Sequence, residues 1–122
     1  MSELPQNGGA VFDVVREVGC RLPDVTASIK YDGSPVLKVR GVFMAGLAMH
    51  RSAEPDTLVV RTELKNREGL LEDAPETYYV TGAYRRYPVV LVRLRQLDPE
   101  ILRELLFESW RLATAKCRKR RG

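Results

Sequence analysis

Several short stretches of this chain alternate in polarity with a period of two, while longer ones repeat apolar residues every third or fourth position. This pairing of periods limits the fold more than any other feature. Leu37 and Val39 oppose Lys38 and Arg40, and Leu58 and Val60 alternate with Val59 and Arg61. Strands of this kind turn one sheet face to a core and the other to water, which favours an antiparallel sheet with helices gathered on the dry face.

The helical segments can be read in the same way. Val11, Val14, Val15, Val18 and Leu22 recur at helical spacing and predict an amphipathic helix from about Ala10 to Arg21, stopped by Pro23. Asp98-Pro99 supplies an N-cap followed by an N1 proline and starts a helix to about Ala115, with Ile101, Leu102, Leu105, Leu106, Trp110 and Ala113 inward. Leu64 to Asp73 reads as a short helix packed through Leu70 and Leu71, and Pro75 ends it. Between these lie a short extended piece at Ser28 to Tyr31 and a hairpin from Pro35 to Ala48, which reverses at Gly41. Further strands are expected at Thr57 to Thr62, Thr77 to Thr81 and Val89 to Leu94. The expected fold is an α+β two-layer sandwich in the order α-β3-α-β2-α, with one domain over 10–115, a flexible segment at 1–9 and a basic tail at 116–122.

A chain of 122 residues suits one domain with one core, and 44% hydrophobic with 30% charged residues is the balance of a folded protein. The longest apolar run, Val42 to Met49, is eight residues, far short of a bilayer span. The first residues carry no basic, apolar leader, so a cytoplasmic location is expected by default. Cys20 and Cys117 form no CxxC pair and are expected as reduced thiols, Cys20 packed and Cys117 exposed.

Chemistry is thin along the chain. One histidine, His50, and two distant cysteines provide no conventional metal set, and no nucleophile is placed beside His50 by spacing. The glycines match neither a phosphate loop nor a dinucleotide fingerprint. The expectation is therefore no enzyme activity, no metal and no cofactor.

Charge is more informative. Residues 1–76 carry 9 basic and 12 acidic side chains, whereas residues 77–122 carry 11 basic and 4 acidic. Within the second part, Tyr78 to Arg95 holds four tyrosines and four arginines and no acid. Flat apolar faces beside fixed positive charge suit phosphates, stacked bases or an acidic protein surface. The candidate contacts are Lys38, Arg40, Tyr84, Arg85, Arg86, Tyr87, Arg93 and Arg95. On an antiparallel sheet the basic strand positions, with Arg61, could line up as one stripe.

The pattern Tyr31-x-x-x-Pro35-x-x-Lys38-Val39-Arg40-Gly41-x-Phe43-x-Ala45, then Pro75-Glu76-x-Tyr78-x-Val80, Tyr84-x-x-Tyr87-Pro88-x-Val90-Leu91-Val92-Arg93-Leu94 and Trp110-Arg111 resembles the MmcQ/YjbR family of small bacterial proteins over residues 10–116. The resemblance implies the same two-layer sandwich. It also implies double-stranded DNA as partner, because the family's fold is similar to a double-wing DNA-binding domain. A likeness of the same fold group to secretion chaperones implies an acidic or amphipathic protein partner instead. Arg86 stands where the family often has Gly, and Val89 where it often has an aromatic residue.

Overall fold

The computed structural model describes residues 8–121. Its elements are α1 (Gly8–Gly19), β1 (Val25–Ile29), β2 (Pro35–Val39), β3 (Val42–Leu47), β4 (Thr57–Arg61), α2 (Leu64–Asp73), β5 (Tyr78–Tyr79), β6 (Val89–Arg93) and α3 (Pro99–Arg121). The fold is α+β, with one antiparallel sheet in the order β1-β2-β3-β4-β6-β5. Four strands precede α2 where three were expected, because Val25–Ile29 joins the sheet as an edge strand on β2. Four of its five side chains are exposed, so no polarity alternation announces it. The short piece expected at Ser28 to Tyr31 is the end of this strand and the turn after it. The stretch 1–7 of the N-terminal segment lies outside the described residues.

The β2–β3 hairpin turns on Arg40 and Gly41, whose φ values of 49° and 86° define a turn with both central residues left-handed. That turn twists with its strands, and glycine adopts its second position without strain. A bulge between Leu37 and Lys38 shifts the register, so that Lys38 faces Phe43 while Leu37 faces Ala45.

The two sheet faces differ. One packs against α1 and α3, with Leu37, Val39, Met44, Leu58, Val60, Val90 and Val92 meeting Phe12, Val15, Leu102 and Leu106 in a continuous core. Along α3 the buried stripe runs Leu102, Leu106, Ser109, Ala113, Cys117. Ile101 was expected inward and is exposed, while Trp110 sits half-buried and donates from Nε1 to the Pro23 carbonyl at 2.8 Å. The cysteines reverse their expected settings: Cys20 is exposed and Cys117 is buried, with Sγ 3.1 Å from the Val39 carbonyl. Because the stripe continues past Ala115, the basic run from Lys116 is carried on the last turns of α3 and is not a separate tail.

The opposite, outer face was expected to be wet. A smaller cluster of Val59, Val89 and Leu91 is buried there beneath Phe43, Ala48, Ala53, Tyr79 and Tyr84. The loops 48–56 and 80–88 supply Ala48, Ala53 and Tyr84 of that cover, and β3 and β5 supply Phe43 and Tyr79.

Candidate functional site

On the outer face, between the β1–β2 turn and the loop 80–88, lies a half-open pocket of about 600 Å³. Phe43, Val59 and Val89 are apolar parts of its lining, and Tyr84, Tyr87 and Pro88 come from the loop. Gly46 keeps the sheet surface low. A Cβ at Gly46 would stand 3.2 Å from the Phe43 ring, 3.3 Å from the Pro35 carbonyl and 3.3 Å from Val36. Lys30, Asp32, His50 and Arg61 supply the polar part of the lining.

The loop is held by a residue the sequence reading passed over. Arg67 is buried, and its guanidinium donates to the carbonyls of Tyr87 (3.1 Å), Val89 (3.0 Å) and Arg85 (3.1 Å). Its position was legible: Arg67 stands three and four residues before Leu70 and Leu71, on the inward side of α2. The Thr62 amide adds a bond to the Pro88 carbonyl at 2.9 Å. The loop 48–56 is tied to the same structure, since Ser52 Oγ lies 2.8 Å from Thr81 Oγ1 and the His50 ring meets the Tyr84 ring edge-on at 6.1 Å.

The four tyrosines have separate places. Tyr78 faces the helices and is buried, and burial pushes its phenol pKa above the usual value. Tyr79 faces outward and anchors the 48–56 loop, its hydroxyl accepting from the Glu54 amide at 2.8 Å and bonding Thr57 Oγ1 at 2.7 Å. Tyr84 walls the pocket, and Tyr87 stands at the rim, 52% exposed.

The expected basic stripe does not form as one strip. Arg61 pairs with Val89 and Arg93 with Thr57, so the two arginines sit at opposite ends of the β4–β6 ladder. Four strand residues separate those ends, about 13 Å. Three of the candidate contacts are held by carboxylates. Arg40 binds Asp24 at 2.7 Å from the hairpin turn, and Arg95 binds Asp56 at 3.0 Å. Arg93 grips Glu54 with Nε at 2.9 Å and Nη2 at 2.8 Å, gives Nη1 to the carbonyls of Pro75 and Glu76, and lies 4.2 Å above the Tyr79 ring. The bonds to Glu54 hold the Arg93 pKa above its usual value and the Glu54 carboxyl below its own. Lys38, Arg85 and Arg86 have no ion-pair partner among the described residues, and only Tyr84 and Tyr87 of the eight candidates line the pocket.

These features define a two-layer α+β domain with a preformed, partly apolar recess on the sheet face away from its helices. A YjbR family model matches residues 20–112, and the chain belongs to that family. Uncharacterized proteins Rv2570 of Mycobacterium tuberculosis and Mb2600 of Mycobacterium bovis are each 38% identical to it over 47 residues, 38% of this chain. The match spans only about a third of those relatives, 36% of their length. In structure the chain is similar to Deinococcus radiodurans protein DR2400, a DUF419 domain, with a TM-score of 0.68 at 24% identity over 84% of this chain and 78% of that one. That likeness shows the fold. Among the described residues, no helix is long and apolar enough to cross a membrane.

Proposed function

We propose that this YjbR domain is a non-catalytic binding module whose outer sheet face, around the pocket and the Tyr84–Pro88 loop, receives an amphipathic, acidic protein segment. One observation carries the reading: two large apolar side chains on the lining of the pocket remain in water. Met49 is 54% and Tyr87 52% exposed on the pocket lining, and Tyr31, between the lining residues Lys30 and Asp32, is fully exposed. Apolar groups gathered at the edge of a recess mark interaction sites more often than scattered ones do. Lys30, Arg85 and Arg86 place positive charge on the same turn and loop, which favours an acidic partner.

The test is co-purification of the tagged domain after nuclease digestion. A stoichiometric complex that survives digestion in wild type and in Ile101→Ser, and is lost in the double variant Met49→Ser/Tyr87→Ser, is the expected result. A complex equally retained by the double variant would remove this face from the interface.

A second reading, DNA binding, is supported by the family resemblance and by Lys38, Arg85 and Arg86, which have no ion-pair partner among the described residues. With three phosphate contacts in place of six, log affinity should fall with log salt at a slope of about −3. Fluorescence anisotropy on a duplex at two salt concentrations measures it. Absence of binding at low salt would end this reading, and a slope near −5 would require Arg40, Arg93 and Arg95 to leave their carboxylates.

A further inference from the structure

Arg61 is the unusual charge of the outer face. It is half-buried at the end of β4, and its Nε donates to the Phe43 carbonyl at 2.7 Å. Among the described residues its two terminal nitrogens have no acceptor, although the side chain lines the pocket beside Phe43, Val59 and Val89. Burial pulls its pKa below the usual arginine value. The contrast with Arg67 is direct, since that guanidinium spends its terminal nitrogens on three carbonyls. A planar fork with two free ends, on a lining shared with Phe43, Val59 and Val89, has the geometry to bind a carboxylate in two places.

The other charged groups facing the pocket do not cancel it. Asp32 is the one carboxylate on the lining, kept ionised by the Ser34 hydroxyl at 2.6 Å and the Ser34 amide at 2.9 Å, and it offsets only one of the two cations there. Lys30 adds a second cation. The volume of about 600 Å³ lies within the range of small-ligand pockets.

We infer that the pocket is an anion-anchored site for an aromatic carboxylate, the ring lying among Phe43, Val59 and Val89 and the carboxylate bound by the terminal nitrogens of Arg61. This deepens the reading of the outer face as a binding surface and rests on it. The same chemistry is offered by a free aromatic acid and by a partner chain that ends in an aromatic residue.

The experiment is an amide-detected NMR titration of the full chain with 3-phenylpropionate and with its neutral amide. The acid is expected to bind in the millimolar range and at least tenfold more tightly than the amide, shifting Gly46, Val59, Ala83 and Val89. Arg61→Gln should abolish that preference, and Arg61→Lys should restore part of it. Equal binding of acid and amide in wild type would overturn the anion anchor while leaving an apolar pocket. No shift with either compound would overturn the site itself, whereas the protein-interface reading is decided separately by the nuclease-resistant complex. The comparison of acid with amide needs no variant, so it holds even if Arg61→Gln fails to fold. A short peptide ending in a free phenylalanine carboxylate, set against its C-terminal amide, distinguishes the sources. Binding by the peptide at least as tight as by the small acid identifies a chain terminus, and binding by the small acid alone identifies a free ligand.

Discussion

Arg93 and Arg61 occupy opposite ends of the same β4–β6 ladder on the same face, and they have opposite fates. Arg93 is surrounded by Glu54, two carbonyls and the Tyr79 ring, and it locks the 48–56 loop to the α2–β5 connection. Among the described residues the Arg61 side chain makes one hydrogen bond, to the Phe43 carbonyl, and it lines a recess. The two look alike as outward arginines at strand ends. A carboxylate within bonding distance makes one a clamp, and among the described residues the other has no such partner.

The largest expected effect falls on the frame of the Arg61 end. Arg67→Ala leaves three inward carbonyls without their donor and should destabilise the protein by about 3 kcal/mol in urea unfolding. Hydrogen exchange should quicken over residues 84–89 and stay slow around Glu54. If both ends loosen together, they are one unit and the contrast fails. Gly46→Val comes next, at about 2 kcal/mol, because its Cβ must displace Phe43 or the Pro35 backbone. It should also lower the affinity of the pocket for 3-phenylpropionate at least tenfold while leaving the Arg93 clamp unchanged.

Arg93→Ala should cost about 1.5 kcal/mol, and Arg61→Ala less than about 0.5 kcal/mol. Equal costs would make Arg61 a structural residue and break the comparison. A further small effect is on pH. Glu54, whose ordinary value is 4.5, titrates lower in the fold because of Arg93. Its contribution is therefore complete above that value and is lost as pH falls through the lowered one. Glu54 is half exposed, so the amount is under about 1 kcal/mol. Acid unfolding of Glu54→Gln should lack that component, and an unchanged profile would show that the pair carries no stability.

Much of the fold was legible in the residues. Helical spacing located α1 and α3, period-two alternation located β2 and β4, and an apolar run after Pro88 located β6. β1 was not fully legible because an edge strand with four exposed side chains has no dry face to encode. Cys117 and Arg67 were legible and missed: each stands one turn beyond residues already assigned inward, Ala113 in one case and Leu70 with Leu71 in the other. The candidate site was legible as a composition, a loop of tyrosines and arginines, and not as a geometry. Arg61 drew notice only as one more charge in a stripe.

By itself the sequence determined which segments are helices and strands and which face of most of them is dry, because those choices depend on residues one to four positions apart. Only the tertiary structure decided which cations are bound and which are open. Arg40 meets its carboxylate 16 residues away, and Arg93 and Arg95 meet theirs 39 residues away. Coulomb attraction and hydrogen bonding act at a few ångströms, and a linear pattern carries no record of which distant residues the folded sheet brings within that reach.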